Sequence, residues 1–108
     1  MARFEAYEVA MEAAQVVMPM MARVPGRYGS LADQAMRAVA GVPLSLAEGA
    51  GRTGKDRLYH WRIAYGSALE TTAALKLLDS VGGVPTQPAR RALELLDRVQ
   101  AMAWRMTR

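Results

Sequence analysis

Apolar positions recur at alternating three- and four-residue steps along most of the chain, the spacing that lays a stripe along an α-helix, and no strand-like alternation competes with it. Phe4, Tyr7, Met11, Ala14, Val17 or Met18, and Met21 form such a seam and predict a first helix over about residues 3–23. Its other faces carry Ala6, Val9, Ala10, Ala13 and Met20, so more than one side is predicted to be buried, which suits an oligomer interface. Pro19 lacks an amide donor and is expected to kink this helix or end its regular part early. Val24 to Gly29 is a turn by composition. Ser30 followed by Asp33 opens a second helix, with Leu31, Ala35, Ala38 or Val39, Val42 and Leu46 as its seam and a bend at Pro43.

The third helix is predicted from about Lys55 to Val81, with Leu58, Trp61, Tyr65, Leu69, Thr72, Leu75 or Lys76, and Leu78 or Asp79 as a drifting stripe. At 1.5 Å per residue it would be ~40 Å long. Gly82-Gly83-Val84-Pro85 ends it, Thr86 is placed to cap a fourth helix with Pro88 in the first turn, and Leu93, Leu96, Val99 or Gln100, Ala103 and Met106 line that helix. Short connections between long helices predict an all-α fold, an antiparallel up-down four-helix bundle forming a single domain over residues 1–108.

The stretch from Ser45 to Glu70, SLAEGAGRTGKDRLYHWRIAYGSALE, holds the densest local signals. Leu46 and Ala47 close an apolar helical run, and Gly49, Gly51 and Gly54 are expected to supply backbone freedom for a turn. Thr53 with Asp56 three residues on has the spacing of a capping box. Gly66 and Ser67 lie inside the third helix, where glycine costs ~1 kcal/mol relative to alanine unless a neighbouring helix comes close, so they are expected to mark a close crossing.

Residues 49–55 satisfy G-x-x-x-x-G-K, but the next position, which should supply a hydroxyl to Mg²⁺, is Asp56, and a helix rather than a buried strand precedes the turn. Nucleotide hydrolysis is therefore not expected. His60 is the sole histidine and has no cysteine or spaced carboxylate pair beside it, which leaves a zinc site or a His-based triad without parts. Glu48 and Glu70 are candidates for general acid-base groups or for ion pairs that fix helix register, the second being the commoner use. Met18, Met20 and Met21 fit an adaptable groove or plain packing.

The absence of cysteine excludes a disulfide scaffold and suits a reducing cytoplasm, the expected location. Glu5, Glu8 and Glu12 interrupt the N-terminal apolar pattern, so no secretory signal or membrane span is expected there. The net charge of +4 comes from 14 basic against 10 acidic residues. The excess falls in residues 47–62 and 86–108, which can mark a polyanion-binding surface or simply solvated helix faces. Arg52, Lys55 and Arg57, with Tyr59 and His60 close by, are the candidate phosphate and base contacts.

The order of short motifs resembles the four-helix-bundle proteins encoded in intervening sequences of bacterial large-subunit ribosomal RNA genes, whose relatives include the Avd accessory protein of diversity-generating retroelements. The elements that carry the resemblance are Phe4, Tyr28-Gly29, Gln34, Val42-Pro43, Leu46-Ala47-Glu48-Gly49, Gly51-Arg52, Lys55, Ile63-Ala64, Gly66-Ser67 and Glu70, with Gly41, Leu44 and Ser45 standing where the family pattern has Ser, Ser and Asn. The resemblance implies a homopentameric barrel, no enzymatic activity, no cofactor or metal, and RNA or DNA and a reverse transcriptase as partners. The function expected is that of an oligomeric nucleic-acid-binding or scaffold protein, with a homo-oligomer that binds a protein partner as the alternative.

Overall fold

Four helices carry the chain in the computed structural model, which describes residues 3–108: α1 (Glu5–Met21), α2 (Gly29–Ala50), α3 (Gly54–Ser80) and α4 (Thr86–Met106), with one 3₁₀ turn, Gly26–Tyr28, leading into α2. No strand occurs among the described residues. α1 and α3 each pack against both α2 and α4, so the helices follow one another around an antiparallel up-down bundle with α1 and α3 on one diagonal. The bundle measures 43 × 22 × 21 Å, its long dimension set by α3.

The core is built from smaller side chains than the sequence pattern suggests. Ala10, Ala13, Val17, Ala35, Val39, Val42, Leu46, Ala64, Ala68, Leu75, Leu78, Ala92, Leu95, Leu96 and Val99 are essentially inaccessible to solvent. In α1 the buried stripe is mainly alanine and valine, with Met20 and Met21 at its end; of the predicted seam Ala14, Val17 and Met21 are buried, while Met11 lies on the exterior. In α3 the predicted stripe is rotated: Ala64, Ala68, Thr71, Ala74, Leu75 and Leu78 point inward, while Leu69 is 43% exposed. Both helices carry apolar residues on more than one face, which leaves periodicity alone unable to choose between them. Small residues then decide, because they let α2 and α3 approach closely. A Cβ on Gly41 of α2 would stand 3.1 Å from Ser67 Oγ of α3.

Several local expectations change. α1 runs through Pro19 to Met21, because only the last turn of the helix follows the missing amide. α2 likewise contains Pro43, which is buried, and continues past Ala47 to Ala50, so Gly49 is a helical residue and not part of the turn. Neither Thr53 nor Thr86 makes a capping hydrogen bond through its side chain, and Thr86 lies inside α4 with Pro85 at the N-cap. Ser67 marks the close crossing, as just described. Gly66 does not, since it faces outward and a Cβ there would meet nothing within 4 Å. Among the described residues no helix is long and apolar enough to cross a membrane.

Candidate functional site

The joint between α2 and α3 is only Gly51, Arg52 and Thr53 long, and Gly54 takes the left-handed backbone conformation (φ +58°) that begins α3. This sharp reversal brings the last turn of α2 against the first two turns of α3. Trp61 reaches back across the joint and its indole Nε1–H donates to the carbonyl of Leu46 at 3.2 Å. The indole occupies the space where a side chain on Gly49 would stand: a Cβ there would lie 2.5 Å from Trp61 Cδ1 and 3.1 Å from the Arg57 carbonyl. Gly49 is therefore required for lack of volume, not for backbone freedom. On its other side Trp61 meets Phe4 of the segment entering α1, with ring centroids 5.9 Å apart.

Two of the three candidate phosphate-binding bases are engaged inside the bundle. Arg57 donates from Nε to the Gly49 carbonyl at 3.0 Å and from Nη2 to the Ala50 carbonyl at 3.1 Å, which satisfies the C-terminal carbonyls of α2 that no helical amide can reach. Its guanidinium also lies 5.4 Å from the Trp61 ring centroid. Arg52 bridges two carboxylates, with Nη2 donating to Glu48 Oε1 at 2.5 Å and Nη1 to Asp56 Oδ2 at 2.9 Å. Hydrogen bonds from Arg52 to Glu48, and next to Asp56, hold its pKa above the usual guanidinium value. Asp56 is thus turned toward Arg52 instead of completing a box with Thr53, and its other oxygen lies 3.7 Å from His60 Nε2. His60 is also in edge contact with Tyr59, at 5.3 Å.

Lys55 is exposed and makes no hydrogen bond or ion pair among the described residues. Of Arg52, Lys55 and Arg57, only Lys55 is uncommitted among the described residues. Glu48 belongs to the same joint through Arg52, whereas Glu70 lies exposed two turns farther along α3 than Ile63 and forms no ion pair there. Trp61 and the carbonyl-capping role of Arg57 are the parts that sequence reasoning missed. Both are visible only once the short turn folds α3 back on α2.

The molecule carries a second basic and aromatic cluster beside the joint, where α4 ends. Trp104 is 46% exposed, packs against Tyr65 with centroids 5.7 Å apart, and lies under the Arg108 guanidinium. Arg62 donates to the Thr107 carbonyl at 3.4 Å, a long and weak bond. One stretch of the exterior is apolar. Met11, Ala14, Met18, Ala40, Pro43 and Leu44 line a groove of about 430 Å³ between α1 and α2. No group of three or more His, Cys, Asp or Glu residues able to hold a metal gathers among the described residues.

Comparison with known proteins accords with this architecture. A family model described as 23S rRNA-intervening sequence protein matches residues 2–105. Among solved structures, a protein of unknown function from the S23 ribosomal protein family of Bacteroides thetaiotaomicron VPI-5482 superposes with a TM-score of 0.87 at 13% identity, over 95% of this chain and 98% of that one, a likeness of fold alone. No curated protein matches. Nearly the whole chain falls within the family match, and the chain belongs to the 23S rRNA-intervening sequence protein family.

Proposed function

We propose that this protein is a non-enzymatic scaffold that acts as a homo-oligomer. The observation that carries the reading is the apolar groove between α1 and α2. The α1–α2 groove is lined almost wholly by apolar atoms, and α3, at the corner diagonal to α1, exposes Tyr59, Ile63, Leu69 and Leu77. Contiguous apolar surface of this kind on a small protein marks an interaction site. Burial between copies also supplements the modest core of a domain this small. Five copies is the number that the family resemblance implies.

The ionic groups at the α2–α3 joint support the structural half of the reading. Arg52 and Arg57 serve the joint itself, so the arginine of the G-x-G-R stretch has a role without a ligand. A nucleic-acid contact at Arg52, Lys55 and Arg57 is the second reading. Exposed Lys55 favours it, with the half-exposed Trp104 and Arg108 near the same end of the bundle.

Light scattering at micromolar concentration tests the first reading, and a folded monomer would end it. A salt series with single-stranded RNA and duplex DNA tests the second. Removal of one phosphate contact flattens the slope of log affinity against log salt by about 0.7 to 0.9. Lys55→Ala should produce that change most cleanly, because Arg52 and Arg57 also hold the joint. Absence of binding at low salt leaves the scaffold reading alone.

A further inference from the structure

The outward face of α3 carries its own regular seam. Tyr59, Ile63, Gly66, Glu70, Ala73 and Leu77 recur at alternating steps of four and three residues, the spacing of a helix that packs against another helix along its length. All of them are exposed in the bundle, and the space over Gly66 is open. Within one chain this seam has no partner helix, because α3 already packs on α2 and α4 through its other faces.

We propose that the seam pairs antiparallel with the same seam of a second copy, on a two-fold axis passing Gly66. The proposal rests on the homo-oligomer reading and specifies one of its contacts. Charge selects the geometry. Parallel pairing would set Glu70 against Glu70 and Arg62 against Arg62, and antiparallel pairing centred on Glu70 would again face two carboxylates. Centred on Gly66, the antiparallel pair sets Arg62, one turn before the axis, against Glu70 of the second copy, one turn after it, and symmetry repeats the pair. Neither side chain has an ion-pair partner in its own bundle among the described residues, and Arg62 holds only its weak bond to the Thr107 carbonyl.

Shape follows the same rule. Residues equally far on either side of Gly66 meet, so Tyr59 lies over Ala73 and the stem of Lys55 over Leu77, each long side chain against a small or aliphatic one. Gly66 at the axis lets the two backbones come close. This self-complementarity between a charged pair and a large-small pair argues for a second copy of the chain over an unrelated helix. A two-fold contact uses one face in pairs, so it joins either single copies or whole rings of copies two at a time.

The chain contains no cysteine, which makes a single engineered thiol an unambiguous probe. In Gly66→Cys the two thiols meet at the axis, and mild oxidation is expected to convert most of the protein to a disulfide-linked dimer on a denaturing gel. In Leu77→Cys the antiparallel pair holds the thiols ~33 Å apart along the helix axis, and cross-linking should be at least tenfold slower. Arg62→Glu and Glu70→Arg, each of which sets like charges against one another, should each halve the mass measured in solution, and the double variant Arg62→Glu/Glu70→Arg should restore it. Equal cross-linking at both cysteines, or single charge reversals that keep the wild-type mass, would overturn the pairing. A wild-type oligomer that fails these tests keeps the scaffold reading and removes only this contact, whereas a wild-type monomer removes both.

Discussion

Two stretches of helix with the same kind of residue behave in opposite ways. At the α2–α3 joint, Gly49 is buried and its missing side chain is replaced by the indole of Trp61. On the outer face of α3, Gly66 is exposed and nothing of its own bundle lies over it. Both glycines are helical and both belong to the recurring motif of the family. The first is explained inside one molecule. The second has no intramolecular reason, and a glycine in mid-helix without one costs stability. The comparison separates residues that build the protomer from residues whose purpose lies outside it.

The sharpest way to break the contrast is Gly49→Ala. Its Cβ must displace either the Trp61 indole, held by the Leu46 carbonyl, or the backbone carbonyl of Arg57, and a loss of about 2–3 kcal/mol in urea melts is expected. Stability equal to wild type would mean that the indole moves freely and that the joint is not a packed lock. Arg57→Gln comes next. It keeps polarity but loses the forked contact with the Gly49 and Ala50 carbonyls, for which a loss of about 1–2 kcal/mol is expected by the same measurement. Gly66→Ala carries the smallest effect and the opposite sign. Made in an Arg62→Glu background, where the two-fold contact is broken, it should raise stability by about 0.5–1 kcal/mol through helix propensity. A destabilised protomer would restore a close intramolecular crossing at Gly66.

The difference between these regions also decides what the sequence could reveal. Helix number, order and connections were legible because glycine and proline punctuate long apolar periods, and each boundary moved by only a few residues. Which face of α1 and α3 turned inward was not legible. Met11 and Leu69 are as apolar as the residues that took their places in the core, and the choice fell to alanines that allow closer packing. The candidate site was legible as a cluster and not as a mechanism. Residues 48–57 are neighbours in sequence, so their proximity is automatic. Whether an arginine there is free or spent depends on where the carbonyls of α2 point, which only the reversal at Gly54 determines.

The three-residue connection that makes this reversal has a kinetic consequence. Closing so short a loop costs little chain entropy, and the two longest helices, α2 and α3, can zip together through contacts close in sequence before the chain ends meet. α1 and α4, drawn from opposite ends of the chain, pay the larger closure cost and should dock afterwards onto a hairpin already fastened by Trp61. The fluorescence of Trp61, followed in a Trp104→Phe variant, should then change in an earlier refolding phase than a probe placed between α1 and α4. A single shared phase for both would show the bundle assembling all at once.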